Sequence, residues 1–170
     1  MSVLSPLKAA SRSVNRVALY VCVACILAML SISFTGFFYM IVTGEALSWT
    51  YSLARLFIPW IGMLSITVAF YHGEHVAMTM AESLLPPAFA VALRYLVLAS
   101  IGMFAAMLLW FGWQFFADST QYYMVSDQLQ IHARWVAASV PTSGAILLLH
   151  MVNGLILTGA GASAMAAAEH

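Results

Sequence analysis

Charge is the scarcest property of this sequence. Only 7% of its 170 residues are charged, six basic and six acidic. A soluble domain carries about 25% charged residues to solvate its surface, so a water-facing globular domain of this size is excluded. The formal net charge is zero, and no basic tract or stripe exists to meet a phosphate backbone, which argues against nucleic-acid binding. Cysteine is nearly absent too. Cys22 and Cys25 lie inside an apolar stretch, so a disulfide framework is excluded. Their C-x-x-C spacing puts both on one helix face, but a redox pair needs polar access and a βαβ setting, so both read as small packing residues. No carboxylate falls deep in an apolar stretch, and no nucleophile–base pair, phosphate loop or H-E-x-x-H occurs. The chain therefore reads as a non-enzyme with no metal or cofactor. Internal repeats, low-complexity linkers and a second domain are likewise missing.

What the chain has is hydrophobicity: 64% of residues are apolar and mean hydropathy is +0.95. About 20 apolar residues cross a bilayer. The charges punctuate four such stretches in one membrane domain spanning residues 1–170. Span one covers about 17–42, after Lys8, Arg12 and Arg16 and before Glu45. Span two covers about 53–71, with Arg55 near its start and Pro59 one turn later. Span three covers about 95–117, between Arg94 and Asp118, and span four covers about 135–160, after Arg134. Span one is too long for the apolar region of a cleaved signal peptide. Lipid offers backbone groups no water, so each span is expected to be helical. The fold class is an all-α integral membrane protein of four transmembrane helices.

Lys8, Arg12 and Arg16 precede span one closely, and the next loop has no basic residue before Arg55. The positive-inside rule then predicts that both termini are cytoplasmic. All five tryptophans, Trp49, Trp60, Trp110, Trp113 and Trp135, fall in the outer half on that topology. They read as an aromatic belt at one headgroup level or, in part, as a packing surface for a partner, because Trp60 and Trp110 lie deeper than a belt needs. Between spans two and three, residues 75–85 place His75, Thr79, Glu82 and Ser83 on one side of a helix and apolar residues on the other. Pro86-Pro87 ends that pattern. A short amphipathic helix in the cytoplasmic interface is predicted, in contact with membrane lipids and positioned to brace a neighbour.

Few polar residues remain at depth. Arg55 is one turn inside span two, where it can snorkel outward or dock a partner. Gln114 is in span three. His150 and Asn153 share a face of span four, a pattern that fits an interhelical hydrogen bond. Haem b ligation by His150 with His72 is the competing reading, and would make the chain an electron-transfer anchor. A small autonomous carrier working as a homo-oligomer is a third reading.

The run Ser48-Trp49-Thr50-Tyr51-Ser52-Leu53-Ala54-Arg55-Leu56-Phe57-Ile58-Pro59-Trp60-Ile61-Gly62 is followed by Ala69-Phe70-Tyr71-His72-Gly73-Glu74-His75-Val76. Later come Leu129-Gln130-Ile131, Trp135 and Val140-Pro141-Thr142-Ser143-Gly144. In order and spacing this resembles the small membrane subunit of tripartite ATP-independent periplasmic (TRAP) transporters, the DctQ-like family. The resemblance implies a non-catalytic subunit of the bacterial inner membrane. Its role would be to scaffold the large transport subunit of a sodium-coupled, binding-protein-dependent secondary transporter for carboxylates such as sialic acid or C4-dicarboxylates. Its implied partners are the large membrane transport subunit and a periplasmic substrate-binding protein. The residues expected at the partner interface are Trp49, Arg55, Trp60, Gly62, His75, Glu82, Trp110 and Trp135.

Overall fold

The computed structural model describes the backbone of residues 4–84 and 86–168. It describes the side chains of residues 6–72 and 95–154, with Pro86, Phe89, Ala92 and Leu93. The chain order is α1 (Leu4–Thr43), α2 (Ser48–Ala54), a 3-10 turn (Arg55–Phe57), α3 (Ile58–Leu84), α4 (Pro87–Asp118), β1 (Tyr122–Met124), β2 (Gln130–His132), α5 (Arg134–Ala137) and α6 (Ser139–Ala168). Four segments are long and apolar enough to cross a membrane: Pro6–Thr43, Ser48–His72, Tyr95–Asp118 and Arg134–Gly154.

Helix α1 starts well before the expected Val17, because nothing between Pro6 and Gly44 breaks a helix and basic residues at its start need not end it. Its 40 residues extend about 60 Å, twice the thickness of a bilayer's hydrocarbon core, so it tilts or projects. Gly44 ends it with φ at 75°, a conformation glycine adopts without penalty, and its N–H donates to the Met40 carbonyl at 2.9 Å.

Span two begins at Ser48, five residues before the expected Leu53, and tightens at Arg55–Phe57. Pro59 is the reason. In an α-helix the Arg55 carbonyl would accept from residue 59, but proline has no N–H. The Ile58 N–H donates to Arg55 instead, closing a 3-10 turn. At its far end α3 continues unbroken through residues 73–84. The interfacial helix expected over 75–85 is therefore not a separate element: its backbone is the end of α3. Gly73 alone costs a helix only about 1 kcal/mol, too little to force a boundary. The side chains on which the amphipathic pattern rests, His75 and Glu82 among them, lie outside the described residues.

The helices do not close into a symmetric four-helix ring. Helix α6 is central. One of its faces meets α4, and the other, through Ser139, Ser143, Ile146, His150 and Asn153, is turned toward α1 and α3. Helix α1 contributes Ser11, Asn15, Ala18, Cys22, Cys25, Met29, Ile32 and Gly36 as its inward positions. That alternation of four and three residues is the seam spacing of a left-handed helix pair. It also accounts for the C-x-x-C: Cys22 and Cys25 are adjacent seam positions. The Cys22 thiol is buried, 3.4 Å from the Ser65 hydroxyl and 3.9 Å from the Ile61 carbonyl on α3.

Helix α4 packs chiefly on α6. Its inward line, Leu98, Gly102, Ala105, Leu109, Gly112 and Phe116, repeats the same spacing. The two backbones approach closely at Gly144. A Cβ there would stand 2.7 Å from the Leu109 nitrogen and 3.1 Å from the Ala105 oxygen. At Gly112 a Cβ would stand 2.8 Å from Val140. In lipid, where burial of apolar groups gives little drive, such close packing is a main source of helix association.

Between α4 and α5 the expected loop is a hairpin. Tyr122 pairs with His132, Tyr123 with Ile131 and Met124 with Gln130, antiparallel. The Ser126 hydroxyl accepts from the Leu129 N–H at 3.1 Å and closes the turn. At the base, Arg134 donates to the Ala117 carbonyl at 3.1 Å and lies 5.8 Å from the Phe116 ring centroid, tying α5 to the end of α4.

Candidate partner interface

The residues expected at a partner surface separate into three groups. Trp60 and Trp135 meet each other. The Trp60 indole N–H donates to the Trp135 carbonyl at 2.9 Å, and the rings lie 5.6 Å apart. Trp60 also packs on the Ala18–Cys22–Leu64 core. Its depth, which pointed to a partner, thus has an internal explanation: a half-buried indole N–H in a span needs an acceptor, and α5 supplies one. Trp49 is half-buried in the first turn of α2.

Arg55 and Gly62 form a second group. Both are exposed and lie seven residues apart, so they share one face of the α2–α3 segment. Neither Glu45 nor Asp118 reaches Arg55, and among the described residues it has no ion-pair partner. Around Gly62 a Cβ would meet nothing within 4 Å. Trp110 stands apart on α4, 67% exposed, among Met103, Met107 and Phe111, which are also exposed.

The largest apolar surfaces are thus open rather than buried against the chain itself. Shallow grooves flank the packed core. One of about 280 Å³ lies among Val17, Val21, Trp60, Leu64 and Ile146. Another of about 320 Å³ runs along α4 beside Phe104, Phe111 and Phe115. All eight charged residues with described side chains are exposed. This is the geometry of a helix array that borders other hydrophobic matter.

A family model described as tripartite ATP-independent periplasmic transporters, DctQ component, matches residues 29–159. The chain belongs to the DctQ family. No curated protein matches the sequence. As a DctQ chain it is the small membrane component of a TRAP transporter, a multi-pass protein of the inner membrane. The match covers the end of α1 from Met29 onward, α2 to α5 with the hairpin, and α6 as far as residue 159. It therefore includes all eight expected interface residues, six of which have described side chains.

The DctQ chain also contains a polar cluster that sequence reading only half found. His150 is fully buried, and its Nδ1 lies 2.8 Å from the Ser11 hydroxyl on α1. The Tyr71 ring packs against it at 5.1 Å and against His72 at 5.4 Å. The interhelical hydrogen bond expected of His150 is thus present. Both imidazoles pack on one phenol, the Tyr71 ring. Ser11 is hard to single out in the sequence because it sits among Lys8, Arg12 and Arg16. The signal was its place four residues before Asn15, in register with Ala18 and Cys22.

Proposed function

We propose that this DctQ chain is a static scaffold for the large transport subunit, carrying no substrate or ion itself. The observation that carries the reading is the mismatch between a filled core and open flanks. Inside, α1, α3 and α6 pack their polar groups against one another: Ser11 pairs with His150 and Cys22 with Ser65, while Asn15 Oδ1, Ser143 Oγ and His150 Nε2 are buried without a partner among the described residues. Outside, α1 and α4 expose bulky apolar side chains over most of their length. A carrier needs polar or ionisable groups at a mid-membrane cavity, usually between broken helices. A scaffold needs continuous helices and wide apolar faces. An elevator-type partner gains from such a frame, because extra spans resist movement of its stationary part in the bilayer.

In this reading both termini are cytoplasmic, by the excess of Lys8, Arg12 and Arg16 before span one. The hairpin and the Trp60–Trp135 end then face the periplasm, where a substrate-binding protein docks. The end of α3, with His75 and Glu82, lies at the cytoplasmic surface against lipid. Trp49, Arg55, Gly62 and Trp110 remain the candidates for contact with the large subunit, while Trp60 and Trp135 support it indirectly by holding α3 to α5. Transport is sodium-coupled, and the substrate is a carboxylate such as sialic acid or a C4-dicarboxylate; both sites belong to the other subunits.

Reconstitution tests this. Proteoliposomes holding the large subunit, the binding protein and this chain should take up substrate on a sodium gradient. Omitting this chain should abolish uptake, and this chain alone with the binding protein should give none. Uptake by this chain alone would overturn the proposal.

A further inference from the structure

The exposed faces of the three spans α1, α2–α3 and α4 differ in chemistry. On α1 and α4 most exposed positions within the spans are bulky and apolar, as at Leu27, Phe34, Phe38, Met103, Phe104 and Phe111, the composition that suits acyl chains. On the α2–α3 segment the exposed line reads Tyr51, Arg55, Ile58, Gly62, Ser65, Ala69 and His72, with Ile66 exposed beside it. Its alternation of four and three residues repeats the spacing of the buried seam of α1 (Ser11, Asn15, Ala18, Cys22), and Gly62, Ser65 and Ala69 are small as that seam is. Small residues at seam spacing admit another helix backbone. Facing lipid, a glycine forfeits helix propensity and packs nothing.

A second observation is independent of size. Arg55 stands seven residues, about 10 Å, inside the Ser48–His72 span. It is exposed on this same line and meets no counter-charge among the described residues. An ionised group in a span is costly unless paired. Helix side chains lean toward the N-terminus, so the guanidinium is directed toward the Ser48 end.

We propose that this line is an unfilled helix seam, and that a transmembrane helix of the large subunit occupies it. That helix packs its backbone over Gly62 and presents an Asp or Glu carboxylate to Arg55. The inference rests on the scaffold reading and narrows it to one face.

The test is co-purification of the full-length chain with the co-expressed large subunit. Three variants are compared with wild type: Gly62→Leu, Arg55→Glu and, as a control on the exposed apolar side of α1, Ala24→Leu. Open space around Gly62 means that the leucine leaves the chain's own fold intact, which the thermal unfolding of each purified chain checks. The expected result is at least a tenfold loss of bound large subunit for Gly62→Leu and for Arg55→Glu, with none for Ala24→Leu. Full retention with both seam variants would overturn the inference, because the line would then face lipid. Loss with Arg55→Glu alone would overturn it too, since the guanidinium would be serving a headgroup phosphate or a contact outside a packed seam. A wild-type chain that retains no large subunit would instead refute the scaffold reading.

Discussion

Replacing Gly144 by alanine adds one methyl group where, among the described glycines, a neighbouring helix backbone comes closest. That methyl would stand 2.7 Å from the Leu109 nitrogen and 3.1 Å from both the Ala105 oxygen and the Leu108 carbonyl carbon. All three are backbone atoms of α4, so no side chain can swing aside; α4 itself must shift away. Overpacking of this kind costs about 1–3 kcal/mol, and the all-backbone surroundings put this site toward the upper end, about 2–3 kcal/mol. The better helix propensity of alanine returns at most about 1 kcal/mol, so the net effect is destabilising. Helix α4 rests chiefly on α6 and has little else to hold it. Gly62→Ala is the matched control: with nothing within 4 Å, only the propensity term remains, and the isolated chain should be stabilised by about 0.5–1 kcal/mol. Unfolding in detergent can be followed with a thiol-reactive dye in a Cys25→Ala background, since the half-buried Cys25 is removed and Cys22 is buried and becomes reactive only as α1 leaves α3. Gly144→Ala should lower the midpoint and Gly62→Ala should raise it slightly. Equal midpoints for Gly144→Ala and wild type would refute the close α4–α6 approach.

Three further outcomes follow from the same packing. Ser11→Ala removes the 2.8 Å contact to His150 and should cost roughly 1 kcal/mol, within the range of interhelical hydrogen bonds in membranes, read by the same dye. Trp60→Phe keeps the ring but loses the 2.9 Å bond to the Trp135 carbonyl; a loss of about 1 kcal/mol is expected, while Trp60→Ala, which also opens the Ala18–Cys22–Leu64 core, should cost more than twice that. Arg134→Ala unties the base of the hairpin from Ala117, so limited proteolysis should cut between residues 119 and 133 faster than in wild type, with the spans unaffected.

The spans were legible because hydrophobic runs bounded by charge encode them directly. Their ends were less so, since a helix stops at a backbone obstacle and not where lipid stops: α1 runs back past Arg12, and α3 runs on past Gly73. The hairpin leaves little trace in the sequence because Tyr122–Met124 and Gln130–His132 are only three residues each, too short for period-two alternation to stand out. Of the candidate surface, Arg55 and Gly62 could be found by type, an ion and a glycine in a span. That Trp60 faces inward to Trp135 could not, because helix periodicity gives relative faces and only tertiary packing decides which face is inside. The same limit hid the partner of His150 on α1.

The most direct test of the scaffold reading is affinity purification of this chain from its native membrane in mild detergent, with mass spectrometry for stoichiometry and a visible spectrum of the eluate. The account predicts a colourless complex holding one large, very hydrophobic subunit per chain. A chain that emerges alone would contradict it, and a haem absorption band in that eluate would make the chain an electron-transfer anchor instead.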